Sequence, residues 1–275
     1  FPVNISREQL SRYERNSFLW HWHREVELTL VLRGRMCYQL NETVFHLGAG
    51  DGLFCNSYSL LTAFPDDHGQ DCIYLSVTFH PRILYGYQGS VFQTRYVGMI
   101  TENPSFPGLF LSPGTSWQAR VLEKQAALYE LFRKSPKSYE LQVLILLLEI
   151  WNLLWENGDF STARTPDTTL RHMDRLKGIL GYIQEHYSEK ITLEDIARQS
   201  NICQSECCRF FKKHMKESLF EYLLSYRIEK SLPLLLDTDL PVTEIASRVG
   251  FSASAYYAKV FRERMGKTPT EYRKR

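Results

Sequence analysis

The sequence predicts an α+β chain of two domains: an N-terminal β-barrel with a pair of helices behind it, then an all-α domain of two helix-turn-helix units. Three observations predict this. Residues 19–79 break into short β-branched and aromatic runs separated by Gly and Asn turns, the signature of a barrel or sandwich. Residues 116–156 carry apolar side chains at helical spacing. Residues 191–272 contain one small pattern twice, and an internal repeat decides the fold of the segment that holds it.

The first copy of the repeat runs from Leu193 through Ile196-Ala197 to Asn201-Ile202, and the second from Val242 through Ile245-Ala246 to Gly250-Phe251. Each is followed by a helical segment rich in basic and aromatic residues. Two short helices that cross steeply need a small residue where they touch, and Ala197 and Ala246 supply it. The turn between them needs a residue that tolerates positive φ, and Asn201 and Gly250, each four residues after its alanine, are the types that do so best. One such unit is weak evidence; two in one chain are strong.

Length and charge agree with this division. The chain has 275 residues, enough for two domains. From Thr169 onward there are 19 Lys+Arg against 14 Asp+Glu, an excess of +5, whereas the rest has 14 against 17, or −3. A basic C-terminal part beside a mildly acidic N-terminal one fits an anionic partner at one end only. The six cysteines (37, 55, 72, 203, 207 and 208) show no C-x-x-C spacing and read as reduced thiols. No signal-peptide pattern or membrane-length apolar run is expected, and a start at Phe1 rather than Met suggests residues upstream.

Taken in order, residues 1–18 are polar without a clear period and read as an extended arm. Strands are expected over 25–32, 36–40, 43–47, 53–56 and 73–80, with turns at Arg33-Gly34, Asn41-Glu42 and the glycine-rich 48–52. His21, His23 and Glu27 share parity along an extended chain, which would aim all three into one interior. This stretch, His21-x-His23-x3-Glu27-x6-Gly34 followed by Gly50-Asp51, resembles the cupin family. In metal-dependent cupins those positions hold a divalent ion together with a third His. Here the expected place, near Leu61, has none; His68 lies too far along, and Arg15 replaces the leading Gly of the motif. The expectation is therefore no metal, with His21, His23 and Glu27 binding a small polar ligand, or else simply packing the barrel mouth.

Residues 81–113 read as irregular with one or two short strands. A helix is expected over 116–133, broken at Ser135-Pro136, and a more apolar one over 138–156. Leu141, Leu144, Leu148, Trp151 and Trp155 form a stripe on the second helix, and further apolar residues widen it beyond one face. Such a helix must bury two faces: one on the barrel, the other on a second copy of the chain or under the preceding helix. The Gly-, Pro-, Ser- and Thr-rich 158–168 reads as a linker between domains at 1–157 and 169–275. Further helices are expected over 170–187, 204–214, 218–236 and 252–265, with Pro233 bending or ending the third near Glu229 and a short last helix starting at Thr268-Pro269. Thr192 with Asp195 has the form of a capping box.

The C-terminal third is similar to the DNA-binding domain of the AraC/XylS family of bacterial transcription regulators. The residues that carry the likeness are Ile191 to Ala197, Phe211-Lys-Lys213, Tyr226 to Lys230, Asp239 to Ala246, Val249-Gly-Phe251 and Gly266 to Arg273. A cupin-like sensor, paired helices and a linker ahead of it extend the likeness over the whole chain. The resemblance implies a ligand-responsive, sequence-specific DNA-binding regulator that activates transcription, with repression the alternative. Its partners would be double-stranded DNA, a small effector such as a sugar, a second copy of itself and RNA polymerase, in the cytoplasm, with no cofactor and no enzyme activity. It places Gln204, Ser205, Cys208 and Arg209 of the first reader helix, and Ser254, Ala255, Tyr256 and Lys259 of the second, against the major groove. Arg209 is the candidate for guanine, with Lys212, Lys213, Lys259 and Arg262 on phosphates. Three departures from the family pattern concern local geometry: Lys216 where a glycine is usual, Cys203 in place of a capping Ser, and Pro233. The competing readings are a metal-dependent cupin enzyme with a helical appendage, and a DNA binder whose barrel only dimerises.

Overall fold

A computed structural model describes residues 1–13, 16–66, 71–160 and 167–274. Among the described residues nine strands are present: β1 (Val3–Gln9), β2 (Phe18–His21), β3 (Val26–Arg33), β4 (Arg35–Leu40), β5 (Thr43–Gly48), β6 (Gly52–Cys55), β7 (Leu61–Pro65), β8 (Ile73–Phe79) and β9 (Gly108–Leu111). Helices α1 (Arg82–Tyr85), α2 (Gly98–Thr101), α3 (Ser116–Lys134) and α4 (Tyr139–Asn157) accompany them. The C-terminal part is helical: α5 (Asp167–His186), α6 (Leu193–Gln199), α7 (Gln204–Met215), α8 (Leu219–Asp237), α9 (Val242–Arg248), α10 (Ser254–Met265) and α11 (Pro269–Arg273).

By contacts the chain forms two compact units, residues 1–10 with 22–170, and 11–21 with 171–275. The first unit is the expected β-rich domain. Its strands lie in two antiparallel sheets rather than one continuous hydrogen-bonded barrel. One sheet has the order β1–β8–β3–β6–β9; in the other, β4 lies between β7 and β5. Alternation fixes which side is core: Met36, Tyr38 and Leu40 of β4 are wholly buried, as are Leu28, Phe54 and Val77 of the larger sheet. Helix α3 lies on the larger sheet, anchored where the buried Gln125 Nε2 donates to the Leu28 carbonyl at 2.8 Å. The α4 side chains Val143, Leu147, Ile150, Trp151 and Leu154 complete that core.

Two expectations hold only in part here. Residues 3–9 are not a free arm: β1 pairs with β8 along its length, in register from Val3 opposite Phe79 to Gln9 opposite Ile73. Only Ile5 of β1 is buried, so the strand gives almost no hydrophobic signal. Residues 81–113 hold α1, a π-helical turn at Gln93–Val97 and α2 before the single strand β9. The expected linker at 158–168 lies partly outside the described residues, as do Arg15 and His68.

In the second unit, residues 11–21 cluster with the helices although they follow β1 directly in sequence; Tyr222 Oη donates to the Trp20 carbonyl at 2.7 Å. Helices α6, α8 and α11 each start on a capping box, Thr192 with Asp195, Ser218 with Glu221 and Thr268 with Glu271. In each box the carboxyl sits below its usual pKa, held there by hydrogen bonds from the Thr or Ser backbone N–H and hydroxyl. Helix α8 does not end near Glu229 but runs through Pro233 to Asp237. Ile228 and Ser231 before the proline and Leu235 after it are all buried, so packing on both sides holds the helix across the missing backbone bond. No helix among the described residues is long and apolar enough to cross a membrane.

Candidate nucleic-acid interface

The repeat folds as two equivalent helix pairs, α6–α7 and α9–α10. Ala197 and Ala246 are buried at the crossings. Asn201 (φ 51°) and Gly250 (φ 89°) both adopt the left-handed conformation. The next residue then turns its N–H back onto the alanine: Ile202 N donates to the Ala197 carbonyl at 3.3 Å, and Phe251 N to that of Ala246 at 2.9 Å. Gly250 must be glycine for a second reason. A Cβ there would stand 2.6 Å from the Tyr187 carbonyl oxygen and 2.9 Å from Arg227 Nε. Arg227 in turn donates to the Tyr187 and Glu189 carbonyls, each at 2.7 Å, tying the second turn to the end of α5.

Helical spacing then sorts each second helix into two faces. On α7, Cys207, Phe210, Phe211 and Met215 are buried, and on α10, Tyr257, Val260 and Phe261. Every position expected to meet DNA falls on the opposite face: Gln204, Ser205, Cys208, Arg209, Lys212 and Lys213 on α7, and Ser254, Ala255, Tyr256, Lys259 and Arg262 on α10, are all exposed. Among the described residues Arg209, Lys212, Lys213 and Arg262 enter no salt bridge, and Lys259 has only a long contact of 3.9 Å to Glu263. The first face thus presents uncommitted cations and amide and hydroxyl groups; the second presents two cations, a hydroxyl and the half-exposed Tyr256 ring. Ser231 Oγ, donating to the Ile228 carbonyl at 2.6 Å, accepts from Tyr257 Oη at 3.0 Å and so locks α10 to α8.

Cys203 is the N-cap residue of α7 and lies beside this face. A hydrogen bond with the Ser205 hydroxyl, reinforced by the Glu206 backbone N–H, holds its thiol below the ordinary value. The N-cap position was legible in the sequence; the lowered acidity was not, because it depends on where α7 begins.

The candidate ligand set fares differently. β2 ends at His21 and β3 begins at Val26, so no continuous strand carries the three residues and the parity argument does not apply. His21 groups with the helical unit, and its Nδ1 lies 2.8 Å from the Leu19 carbonyl. His23 and Glu27 do come together, with Nε2 to Oε2 at 3.5 Å. Burial pulls the His23 pKa down, but its hydrogen bond to Glu27, the Glu27 charge and the Glu25 carbonyl more than offset this, and the net shift is upward. Glu27 is almost fully buried and accepts from Thr29 Oγ1 at 3.1 Å and Tyr38 Oη at 3.2 Å. Burial drives the Tyr38 and Cys55 groups beside it far upward. Nearby, Tyr58 N donates to the His23 carbonyl, and two buried polar atoms, Trp22 Nε1 and Ser57 Oγ, have no hydrogen-bond partner among the described residues. Tyr38 was missed in the sequence because it reaches Glu27 only when the smaller sheet packs against the larger.

A profile described as an AraC-like ligand binding domain matches residues 9–140, and one described as a helix-turn-helix domain matches residues 196–275. The chain is 34% identical over 254 residues to the uncharacterized HTH-type transcriptional regulator YdeC of Bacillus subtilis, covering 92% of this chain and 85% of that one. It is 23% identical over 261 residues to the melibiose operon regulatory protein of Escherichia coli K12, covering 92% and 83%. ToxT of Vibrio cholerae superposes over 99% of this chain and 98% of its own with a TM-score of 0.55, at 13% identity, a likeness of fold.

Proposed function

The chain belongs to the AraC family of ligand-responsive, DNA-binding transcription regulators, and on that premise we propose that it acts as an effector-switched activator in which the two reader helices of one molecule enter successive major grooves. The observation that carries this reading is the matched pair of exposed faces on α7 and α10, each backed by a buried apolar face and oriented by the same turn. Gln204, Ser205, Cys208 and Arg209 would read bases from the first helix. Ser254 and Tyr256 would lie in the groove from the second, and Lys212, Lys213, Lys259 and Arg262 would position both on phosphates. With more hydrogen-bonding groups, α7 carries most of the base specificity.

The effector is a small polar molecule, a sugar or a relative of one, bound in the 1–157 domain against the His23–Glu27 pair and the unsatisfied Trp22 and Ser57 groups. It switches the protein by binding two arrangements with different affinity. Two copies associate through α4. Its Leu141, Ile145 and Leu148, spaced to share a face, are 67%, 55% and 41% exposed, beside a groove of about 540 Å³ between α3 and α4. The protein acts in the cytoplasm, contacts RNA polymerase and has no catalytic role. Selection of binding sites from random DNA, with and without a metabolite extract, tests the reading. It predicts an asymmetric motif of two parts about one helical turn apart, with affinity that changes on adding extract. Recovery of no motif contradicts it.

A further inference from the structure

On the outer face of the β7–β4–β5 sheet, away from the His23–Glu27 cluster inside, strand pairing gathers a thiol, an imidazole and a carboxylate. Cys37 at the centre of β4 pairs directly across from His46 of β5. On its other side Cys37 pairs with Phe64 of β7. Asp66, two residues beyond Phe64, then falls diagonal to Cys37 on the same face. Cys37 Sγ and His46 Nδ1 are 3.4 Å apart, and ligand atoms of all three residues lie within 4.8 Å of one another. Among the described residues this is the only trio of metal-ligating side chains so arranged. The set His21, His23 and Glu27 does not make one.

We propose that Cys37, His46 and Asp66 bind a zinc-type divalent ion. Zn–S and Zn–N bonds of about 2.3 and 2.0–2.1 Å at a tetrahedral angle put sulfur and nitrogen about 3.6 Å apart, close to the separation already present. The Asp66 carboxylate lies just past the end of β7 and needs to close by only roughly 1 Å to reach the same centre. One thiolate, one imidazole and one carboxylate are a donor set that suits zinc, not magnesium or calcium. A Zn–S bond forms as the Cys37 S–H bond breaks, and the proton passes to solvent. Arg35 supports the arrangement. It sits two residues before Cys37 on the same face, and its Nε lies 3.3 Å from Asp66 Oδ2, which orients the carboxylate. Three protein ligands leave a fourth position for water or an exogenous group. The ion would pin β7, β4 and β5 together on a face that carries none of the proposed effector contacts.

Cobalt(II) titration of the reduced, chelator-treated full chain tests this. One equivalent should bind per chain with a thiolate-to-cobalt charge-transfer band and the visible bands of a tetrahedral site, all displaced by zinc. Cys37→Ser should abolish the charge-transfer band. His46→Gln, at an exposed position that does not threaten the fold, should weaken binding by more than about tenfold. The double variant C203S/C208S should bind like the parent. Absence of the charge-transfer band in the parent chain, a band that survives Cys37→Ser, or full affinity in His46→Gln overturns the assignment.

Discussion

At the scale of single residues, the reader face is a matter of which charges are free. Arg209 is exposed on α7 and enters no salt bridge among the described residues, so Arg209→Ala should remove the proposed base contact without unfolding anything. Binding should fall by about 1–3 kcal/mol, and preference at one guanine position should relax. Lys213→Ala should weaken all sequences alike and lower the salt dependence of binding by about one ion. Fluorescence anisotropy on specific and scrambled duplexes at several salt concentrations separates the two. Cys203 offers a second test. Its pKa is lowered, so the reactive thiolate persists to lower pH than for an ordinary thiol, and its alkylation rate falls off only below the ordinary thiol range. Burial pushes the Cys207 and Cys72 thiols up to about 11 and about 12, so they stay protonated at neutral pH. Iodoacetamide labelling followed by mass spectrometry across pH should modify Cys203 first and leave Cys72 and Cys207 untouched in the native chain. Equal rates at all three would contradict the structure.

At the scale of elements, the two copies of the repeat differ at one informative place. Helix α10 ends on Gly266 at φ 70°, while α7 ends on Lys216 at φ 62°, a left-handed position held by a residue with a Cβ. Lys216→Gly should therefore stabilise the helical unit by about 1 kcal/mol, read as a rise in melting temperature. Gly250→Ala should cost about 2 kcal/mol or more, since it combines positive φ with a clash against the Tyr187 carbonyl. The helical domain was legible in the sequence because its signals are local: alanine at the crossing, Asn or Gly four residues on, and Ser or Thr three residues before Asp or Glu. The sheets were legible only in part. β1 is a strand with one buried residue, and β7 is five residues ending at Pro65. Their identity comes from partners far along the chain, and no local pattern records that. His21 was misplaced for the same reason: parity counts only along an unbroken strand, and residues 22–25 interrupt it. Pro233 shows the converse, local propensity overruled by burial on both sides.

At the scale of the whole molecule, the proposed function rests on two copies of a reader in one chain and on the proposed pairing of two chains. The α4 stripe of Leu141, Ile145 and Leu148 is apolar and exposed, and it commits the account to an interface there. Ile145→Asp should convert a concentration-dependent dimer to a monomer in analytical ultracentrifugation while leaving the circular dichroism spectrum unchanged. A dimer that survives this substitution places the interface elsewhere. The central claim is that α7 and α10 of a single molecule read neighbouring grooves. Methylation interference on a selected binding site tests it most directly. The account predicts two clusters of interfering guanines per bound chain, about 10 base pairs apart on one face of the duplex, with Arg209→Ala erasing one cluster and sparing the other. A single cluster, or an Arg209→Ala pattern unchanged from the parent, would contradict it.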